Sequence, residues 1–289
     1  MSENIRFDGR VAIVTGAGGG LGRAHALALA QRGYKVVVND LNAAHSVVDE
    51  ITAAGGMAIA DTTSITDPVA VAAMVAKTLE TWGRIDILIN NAGILRDKSF
   101  AKQTDDLLEA VVDVHLKGSW ICTQAVWEIM RQQGYGRIMF TTSSSGLYGN
   151  FGQANYSAAK AAVVGLMNTL HIEGAKFNIR VNCLSPAART QMTEDLLPVE
   201  AAALLSPETV APGALFLVSE NAPSKTILAA GAGVFSVVHI HETPGIVLGG
   251  DVTADDVASH WAQITGQTGA EPLDAAWSQT QKFVTLAQK

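Results

Sequence analysis

The fold of this chain is decided by residues 11–23, which read VAIVTGAGGGLGR. A short β-branched strand runs into a glycine-rich turn, and an Ala/Leu-rich helix follows. Glycines permit a tight turn and close backbone approach, while the free N–H groups at a helix N-terminus attract a pyrophosphate. A flexible loop is also rich in glycine, but the position between strand and helix favours a dinucleotide site. The predicted contacts are Gly16, Gly20, Leu21 and Gly22.

The alternation of strand and helix continues along most of the chain. Near-continuous apolar runs separated by helical stretches indicate a parallel sheet that is covered on both faces. We therefore predict an α/β fold in which a Rossmann-type doubly wound parallel sheet forms a single domain. The predicted strands are residues 11–14, 36–38, 57–60, 85–89, 137–140 and 180–184, followed by a helical stretch at about 194–220 and a last strand at 233–241.

The chain changes character beyond Gly245. Residues 253–256 resemble a capped helix start, and the residues that follow are polar with scattered aromatic side chains. A separate domain would need more apolar residues. We predict that residues 1–245 form the nucleotide-binding domain and residues 246–289 a C-terminal helical extension, packed on the core or on a partner subunit.

Asp40 ends the second predicted strand, about twenty residues after the glycines. An acidic side chain at this point accepts hydrogen bonds from the adenosine ribose hydroxyls and repels a 2′-phosphate. No Arg or Lys stands between Gly16 and Gly22 or beside Asp40 to offset its charge. NAD is therefore favoured over NADP, although Asp40 also suits an ordinary turn after a strand.

The fourth predicted strand leads into Asn90-Asn91-Ala92-Gly93. Small residues here let the backbone approach a cofactor ribose, and the Asn amides can tie neighbouring strands together. An ordinary strand-to-helix turn explains the motif equally well.

Tyr156 and Lys160 are one helical turn apart, in a segment whose alanines favour helix. Residues at i and i+4 share one helix face, so the Lys160 charge can lie near the phenol. A free phenol titrates at a pKa of about 10, and a nearby positive charge lowers that pKa, which suits general acid/base work. A solvated helix face gives the same spacing. Ser143, Ser144 and Ser145 are rival partners that the local sequence does not separate.

Composition excludes some classes of partner and location. With 289 residues, 48% of them hydrophobic, the chain buries a large core. Its net charge of −7 gives no attraction to nucleic acid or anionic lipid, so we expect neither as a partner. No signal peptide, membrane-length apolar run or C-terminal Ser-Lys-Leu address is visible, which predicts a cytoplasmic location. Cys122 and Cys183 lie in apolar segments and are expected to be buried reduced thiols.

Two further features have alternative interpretations. His239 and His241 form a His-x-His pair on the last predicted strand, but no third ligand is evident, so we predict no metal site. The apolar residues Leu196, Leu197 and 201–205 fit a lid over an apolar substrate and a core helix about equally.

Taken together and in this order, the glycine turn, Asn90–Gly93, Ser143 and Tyr156-x-x-x-Lys160 resemble the short-chain dehydrogenase/reductase family, over residues 7–245. The resemblance implies that Ser143 hydrogen-bonds the substrate oxygen, Tyr156 exchanges its proton, and Lys160 holds the nicotinamide ribose while lowering the pKa of the tyrosine. Hydride transfer changes the charge on that oxygen, which needs donors already aimed at it. The remaining implied cofactor contacts are Ser64, Asn91, Ala92, Gly93, Ala187 and Thr190, besides Tyr156 and Lys160 themselves.

The chain departs from the family pattern at three points. His115 stands where the family has an asparagine that bends the long helix and holds a water in the proton relay. It is a catalytic candidate, and a histidine satisfied within the helix packing is the alternative. Ala187 follows Pro186 where a glycine is usual, and Thr63 replaces an aspartate near the adenine.

Finer features, including Val38–Leu41 and Gly149–Tyr156, resemble the (3R)-hydroxyacyl-CoA dehydrogenases of this family. They imply an NAD-dependent oxidoreductase that acts on a (3R)-3-hydroxyacyl-CoA with a fatty or steroid side chain. Arg96, Lys98 and Lys102 are then expected near the CoA phosphates. The family also pairs through long helices, here about 104–132 and 155–174, which implies a homodimer or homotetramer.

Other functions remain open on the sequence. One is a hydroxysteroid or other lipid alcohol dehydrogenase, and another is a 3-oxoacyl carrier-protein reductase. Asp40 argues against the reductase, because such enzymes prefer NADPH. A non-catalytic NAD-sensing protein is a third, but it should lack the tyrosine or the lysine, and this chain keeps both.

Overall fold

The computed structural model describes residues 9–189 and 204–288. The chain divides into two compact units, with the boundary between Val237 and Val238. The sheet belongs to the first unit. The strands are β1 (Val11–Thr15), β2 (Lys35–Asn39), β3 (Met57–Asp61), β4 (Ile87–Asn90), β5 (Gly136–Thr141), β6 (Ile179–Ala187), β7 (Ile227–Gly231) and β8 (Val234–Val238).

One sheet contains all eight strands in the order β3-β2-β1-β4-β5-β6-β7-β8. Strands β1 to β7 pair in parallel, and in the middle of the sheet Ile13 lies opposite both Val37 and Leu88. Strands β1, β4 and β5 are buried along their whole length, because helices cover both faces. The predicted Rossmann-type doubly wound sheet is confirmed.

Helices connect the strands of the first unit. They are α1 (Gly20–Gln31), α2 (Ala44–Ala53), α3 (Pro68–Trp82), α4 (Asp105–Val112), α5 (Gly118–Gln133), α6 (Ser144–Tyr148), α7 (Ala154–Gly174) and α8 (Ala211–Leu217). A π-helical turn, Asp113–Lys117, joins α4 to α5. Helix α3 shows how local sequence sets the ends. The Asp67 carboxylate accepts from the N–H groups of Val69 and Ala70, and Gly83 ends the helix at φ 75°.

The carboxyl ends of β1 and β4 lie side by side, at the point where the strand order changes direction. Strand β1 lies between β2 and β4, so the connections leave it towards both halves of the sheet. Helices that pack on opposite faces part at this point, and ligands of doubly wound sheets bind there. The glycine turn follows β1 and Asn91 follows β4, so both candidate motifs lie at this edge.

The second unit has short helices: α9 (Ala254–Ser259), α10 (Trp261–Ile264) and α11 (Ala276–Ala287). Thr253 caps α9 through a capping box with Asp256, as the sequence indicated. Lys282 donates to Glu242 over 2.9 Å and ties α11 to the start of the unit. The predicted C-terminal helices are confirmed, while the domain boundary after Gly245 stays a prediction.

Two predicted elements near the end of the sheet differ from the structure. Strand β7 is not among the predicted strands, because Ile227 is its single β-branched residue and Leu-Ala-Ala-Gly follows. A two-residue turn at Ala232 and Gly233, both with positive φ, joins it to β8. The helix predicted at 194–220 lies partly outside the described residues. Within them, α8 covers only Ala211–Leu217, and a separate 3₁₀ turn begins at Pro207, since proline favours helix starts.

Cys122 and Cys183 are buried free thiols, as predicted. Burial raises the pKa of both, which keeps them protonated. Among residues 9–189 and 204–288, no helix is long and apolar enough to cross a membrane.

Candidate active site

The glycine turn after β1 packs closely against the protein's own backbone. Gly16 has φ 62°, and a Cβ added there would lie 2.6 Å from Ala92 Cα. A Cβ on Gly22 would lie 2.1 Å from the Gly16 carbonyl oxygen, so only glycine allows this packing. No side chain caps the N-terminus of α1, which begins at Gly20. The N–H groups of Gly20, Leu21 and Gly22 are therefore suited to a pyrophosphate.

Asn91 and Thr15 hold this turn in place. The Asn91 side-chain amide donates to the carbonyl oxygens of Thr15 and Gly16, each over 3.1 Å. The Thr15 hydroxyl accepts from the N–H groups of Asn91 and Ala92 over 3.0 and 3.2 Å. The motif is therefore more than an ordinary turn, because it binds the end of β4 to the end of β1. Its contact with a cofactor stays a prediction.

Asp40 lies beside the glycine turn. Its carboxylate accepts from Gly18 N over 3.1 Å and from Asn42 N and Ala43 N over 3.0 Å. Asp40 therefore shapes the turn after β2 and contacts the glycine turn, while its contact with a cofactor ribose stays a prediction. Arg23, at the start of α1, forms an ion pair with Glu50 on α2. Ser64 lies in the loop after β3, where its hydroxyl contacts that of Thr66 over 2.9 Å.

The structure distinguishes Ser143 from its two neighbours. Ser143 caps α6, and its hydroxyl oxygen accepts from Ser145 N over 3.2 Å. The Ser145 hydroxyl is buried and donates to Gln153 over 2.8 Å, whereas Ser144 is exposed. Ser143 alone of the three hydrogen-bonds the Tyr156 phenol.

Tyr156 and Lys160 share one face of α7, as predicted. The Lys160 ammonium lies 5.6 Å from the centre of the tyrosine ring and donates to Thr141 O over 2.5 Å. Burial lowers the pKa of Lys160 to about 7. Burial also raises the pKa of Tyr156, while the Ser143 hydrogen bond acts in the opposite direction. The expected lowering of the Tyr156 pKa by Lys160 is not seen. The physical reason is the burial that both groups share, since it disfavours phenolate and ammonium alike.

His115 lies against the same tyrosine. It is buried in the π-helical turn, and its ring meets that of Tyr156 edge-on with centroids 5.1 Å apart. Nε2 lies 3.0 Å from Ile94 N and 2.8 Å from Ile94 O, while Nδ1 has no hydrogen-bond partner. Burial and the Lys160 charge lower the pKa of His115 to about 3, so the imidazole is neutral near pH 7. A Cβ on Gly93 would lie 2.3 Å from the His115 ring, so no larger residue fits at position 93 without a shift. Catalysis by His115 stays a prediction.

Ala187 ends β6 opposite Gly231 and keeps an extended conformation. The backbone there does not need the glycine that the family usually has. Thr190, Leu196, Leu197 and 201–203 lie outside the described residues, so the predicted Thr190 contact and the lid stay predictions.

Sequence reasoning assigned no role to Gln153 and Asp97. Gln153 is buried three residues before Tyr156 and donates to Asp97 over 2.8 Å. Asn155 is also buried, and its amide donates to Arg96 O and Leu107 O. The sequence does show polar residues directly before Tyr156 at the start of a helix, which is the one local indication that they have a role. Their partners are too distant in sequence to be inferred.

The His239/His241 pair differs from its prediction. Strand β8 ends at Val238, so the two side chains do not lie on one strand face. Their ring centroids are 5.6 Å apart. Within the described ranges, no three His, Cys, Asp or Glu side chains come together in a way that could hold a metal ion.

Similarity to known proteins agrees with this geometry. A family model described as short chain dehydrogenase matches residues 10–200. The peroxisomal multifunctional enzyme type 2 of Drosophila melanogaster is 45% identical over 287 residues, which cover 94% of this chain and 48% of the relative. The chain thus spans about half of that relative's length.

Two solved structures are similar as well. The full-length Drosophila melanogaster enzyme has a TM-score of 0.85 at 42% identity, and the match covers 98% of this chain and 50% of that one. A 7α-hydroxysteroid dehydrogenase complexed with NADH and 7-oxo glycochenodeoxycholic acid has a TM-score of 0.75 at 33% identity, covering 81% of this chain and 97% of that one.

Proposed function

The chain belongs to the short-chain dehydrogenase family, and from this premise we propose that it transfers a hydride between NAD and a secondary alcohol or ketone. The observation that carries the proposal is the buried group of Ser143, Tyr156 and Lys160. It lies at the carboxyl end of a sheet whose glycine turn suits a pyrophosphate. The nicotinamide, when bound, supplies the hydride acceptor or donor.

The side chains of the site have complementary roles in this reaction. The Ser143 hydroxyl holds the substrate oxygen, and the Tyr156 phenol oxygen takes the alcohol proton during oxidation or returns it during reduction. Donors already fixed in place stabilise charge on that oxygen without having to reorganise. Lys160, half-titrated near neutral pH, holds the nicotinamide ribose and supplies the charge beside the phenol.

The cofactor is NAD rather than NADP in this proposal. Asp40 faces the glycine turn at the place where the adenosine ribose is expected. Arg23 is the basic residue nearest in sequence to the turn. It forms an ion pair with Glu50 and not with Asp40. A 2′-phosphate would therefore meet an acid without a counter-charge. Gly16, Gly20, Leu21, Gly22, Ser64, Asn91, Ala92, Gly93 and Ala187 complete the proposed cofactor contacts.

The proposed substrate is a (3R)-3-hydroxyacyl-CoA. Similarity to the multifunctional enzyme supports it, and so does a basic loop after β4. Arg96, Lys98 and Lys102 are exposed there, and among the described residues none of them forms an ion pair with a carboxylate. Free cations are suited to the CoA phosphates. Replacing all three should raise the KM for the thioester, and an unchanged KM would contradict this part of the proposal.

A panel of substrates tests the proposed activity. NAD reduction would be followed with (3R)- and (3S)-hydroxyacyl-CoA thioesters and with free hydroxysteroids. We expect turnover of the (3R) thioesters and little with their (3S) counterparts. Similarity to a 7α-hydroxysteroid dehydrogenase makes a free hydroxysteroid the second candidate. Turnover of free steroids without turnover of thioesters would favour that alternative.

Assembly and compartment are further parts of the proposal. We expect a homodimer or homotetramer that pairs through the long helices α5 and α7, as in the family. The sequence predicts a cytoplasmic location, whereas the similar multifunctional enzyme is named peroxisomal. Fractionation of cells that produce the full chain would separate the two compartments.

A further inference from the structure

Gln153 is the centre of a hydrogen-bond network beside Tyr156. Its side chain is buried at the start of α7, with 5% of its surface exposed. The amide oxygen accepts from Ser145 Oγ over 2.8 Å and from Asn150 Nδ2 over 2.9 Å. The amide nitrogen donates to Asp97 Oδ2 over 2.8 Å. Three segments of the chain therefore meet at one side chain.

The partners fix the orientation of this amide. An ionised Asp97 carboxylate only accepts hydrogen bonds, so the NH₂ group of Gln153 must face it. The Gln153 oxygen then faces Asn150 and Ser145, which both donate to it. A flipped amide would break both contacts. Gln153 itself is buried, whereas Asn150 and Asp97 are exposed, so the network connects the surface with a buried side chain.

The network continues to the reacting groups. Ser145 receives its position from Gln153, and Ser145 N donates to Ser143 Oγ over 3.2 Å. Ser143 in turn hydrogen-bonds Tyr156. The loop that carries Asp97 is also bound to the start of α7, because Lys98 N donates to Gly152 O over 2.9 Å. A continuous path of hydrogen bonds thus runs from Asp97 to the phenol.

We propose that Asp97 and Gln153 are positioning residues, which hold Ser143 and Tyr156 in register through this path of hydrogen bonds. The proposal rests on the proposed function, since it assigns their effect to the same reaction. It adds a second effect through charge. The Asp97 carboxylate disfavours the phenolate and so raises the pKa of Tyr156, which burial already raises.

Four groups face the Tyr156 phenol from the elements around it. Lys160 on α7 and Asp97 in the loop after β4 carry opposite charges. His115 on the π-helical turn is neutral, because burial lowers its pKa to about 3. Ser143 donates a hydrogen bond from the end of β5. Asp97 is therefore the negative charge in this group, and it disfavours the phenolate.

A titration of Tyr156 tests the charge effect without any substrate. The chain has four tyrosines, so the tyrosinate absorbance of a Tyr156→Phe variant is subtracted from that of the parent protein. Asp97→Asn keeps an acceptor for Gln153 and removes the charge, and should lower the pKa of Tyr156 by about half a unit to one unit. Asp49→Asn removes an exposed charge on α2 as the matched control and should leave that pKa unchanged. An equal Tyr156 pKa in Asp97→Asn and the parent would overturn this effect.

Kinetics test the positioning effect. Gln153→Leu keeps the size of the side chain and removes all of its hydrogen bonds. We expect kcat for oxidation of the (3R)-3-hydroxyacyl-CoA to fall about ten- to a hundredfold, with the KM for NAD unchanged, because small displacements of reacting groups are costly. A kcat equal to that of the parent would overturn the positioning role. If the parent protein itself oxidised no alcohol, the proposed function would fail, while the titration would still report on Asp97.

Discussion

A buried cation lies at each end of strand β5, one on the strand itself and one on α7. Their hydrogen bonds differ greatly. Arg137, near the amino end, donates to the carbonyl oxygens of Gly136, Asn178, Ser219 and Glu220 over 2.7 to 3.1 Å. It also lies 4.2 Å from the centre of the Tyr135 ring. Lys160, at the carboxyl end, donates to Thr141 O, and burial lowers its pKa to about 7. The first cation donates to four carbonyl oxygens, whereas the second has a single acceptor among the described residues.

Some buried polar atoms on elements near Lys160 have no hydrogen-bond partner. Thr141 Oγ1, Ser157 Oγ, His115 Nδ1 and Asn90 Oδ1 are buried without a hydrogen-bond partner. Ser157 lies on α7, and the elements that carry Thr141 and His115 both contact that helix. A buried polar atom without a partner costs free energy. Such atoms also occur elsewhere among the described residues, at His25 and at Ser219 beside Arg137, so the contrast between the two ends of β5 rests on the hydrogen bonds of the cations themselves.

The largest effect should come from Tyr156→Phe. The change removes the oxygen that exchanges the proton and leaves the packing intact, so kcat should fall by a factor of about 10²–10⁴ while the melting temperature changes little. The measurement is kcat together with thermal unfolding. Tyr148→Phe is the matched control, since Tyr148 is 72% exposed on α6. A Tyr156→Phe variant with at least half of the parent activity would contradict the role of the phenol.

Arg137→Met should have the opposite effect to Tyr156→Phe: stability should fall and activity should not. It leaves four carbonyl oxygens without their donor, which should lower the free energy of unfolding by about 3–5 kcal/mol. The activity of the remaining folded protein should be unchanged, because Arg137 lies at the far end of β5. Denaturant unfolding and kcat per folded molecule are the measurements. Arg131→Met, at an exposed ion pair with Glu128, should cost about 1 kcal/mol or less. Equal losses of unfolding free energy in Arg137→Met and Arg131→Met would show that the buried cation stabilises the fold no more than an exposed one.

Lys160→Met should change how the free energy of unfolding depends on pH, because burying the Lys160 charge destabilises the folded protein. The pKa of Lys160 is about 7 in the folded protein against 10.5 for a free lysine, so the unfolded chain binds more protons between these values. The unfolding free energy of the parent should therefore rise as pH increases from about 7 towards 10.5. Lys160→Met should lack this rise and be more stable than the parent below pH 7, although inactive. Parallel pH profiles for the two proteins would show that Lys160 is not destabilising.

Asp40→Ala should have the smallest effect. Loss of the carboxylate removes both the ribose contact and the repulsion of a 2′-phosphate, so the preference for NAD over NADP should fall by about tenfold. The ratio of kcat/KM for the two cofactors measures it. An unchanged ratio would show that Asp40 only shapes the turn through Gly18, Asn42 and Ala43.

Local spacing predicts where several candidate residues lie in the fold. The glycine turn, Asp40 and the Tyr156/Lys160 pair each sit at an element end that nearby residues define. The Gln153 to Asp97 contact joins residues 56 positions apart and had no local signal. The direction of the Tyr156 pKa also needed the structure, because it depends on burial. His115 was visible as a departure from the family, but its contacts with Ile94 were not.

The central claim is that hydride leaves a substrate carbon at the Tyr156 site and is carried by NAD. The most direct test uses a (3R)-3-hydroxyacyl-CoA with deuterium on carbon 3 and mass spectrometry of the NADH formed. The native protein should produce deuterium-labelled NADH, and Tyr156→Phe should produce it at least about 100-fold more slowly. Absence of label in the NADH, or equal rates of labelled NADH formation in the two proteins, would contradict the account.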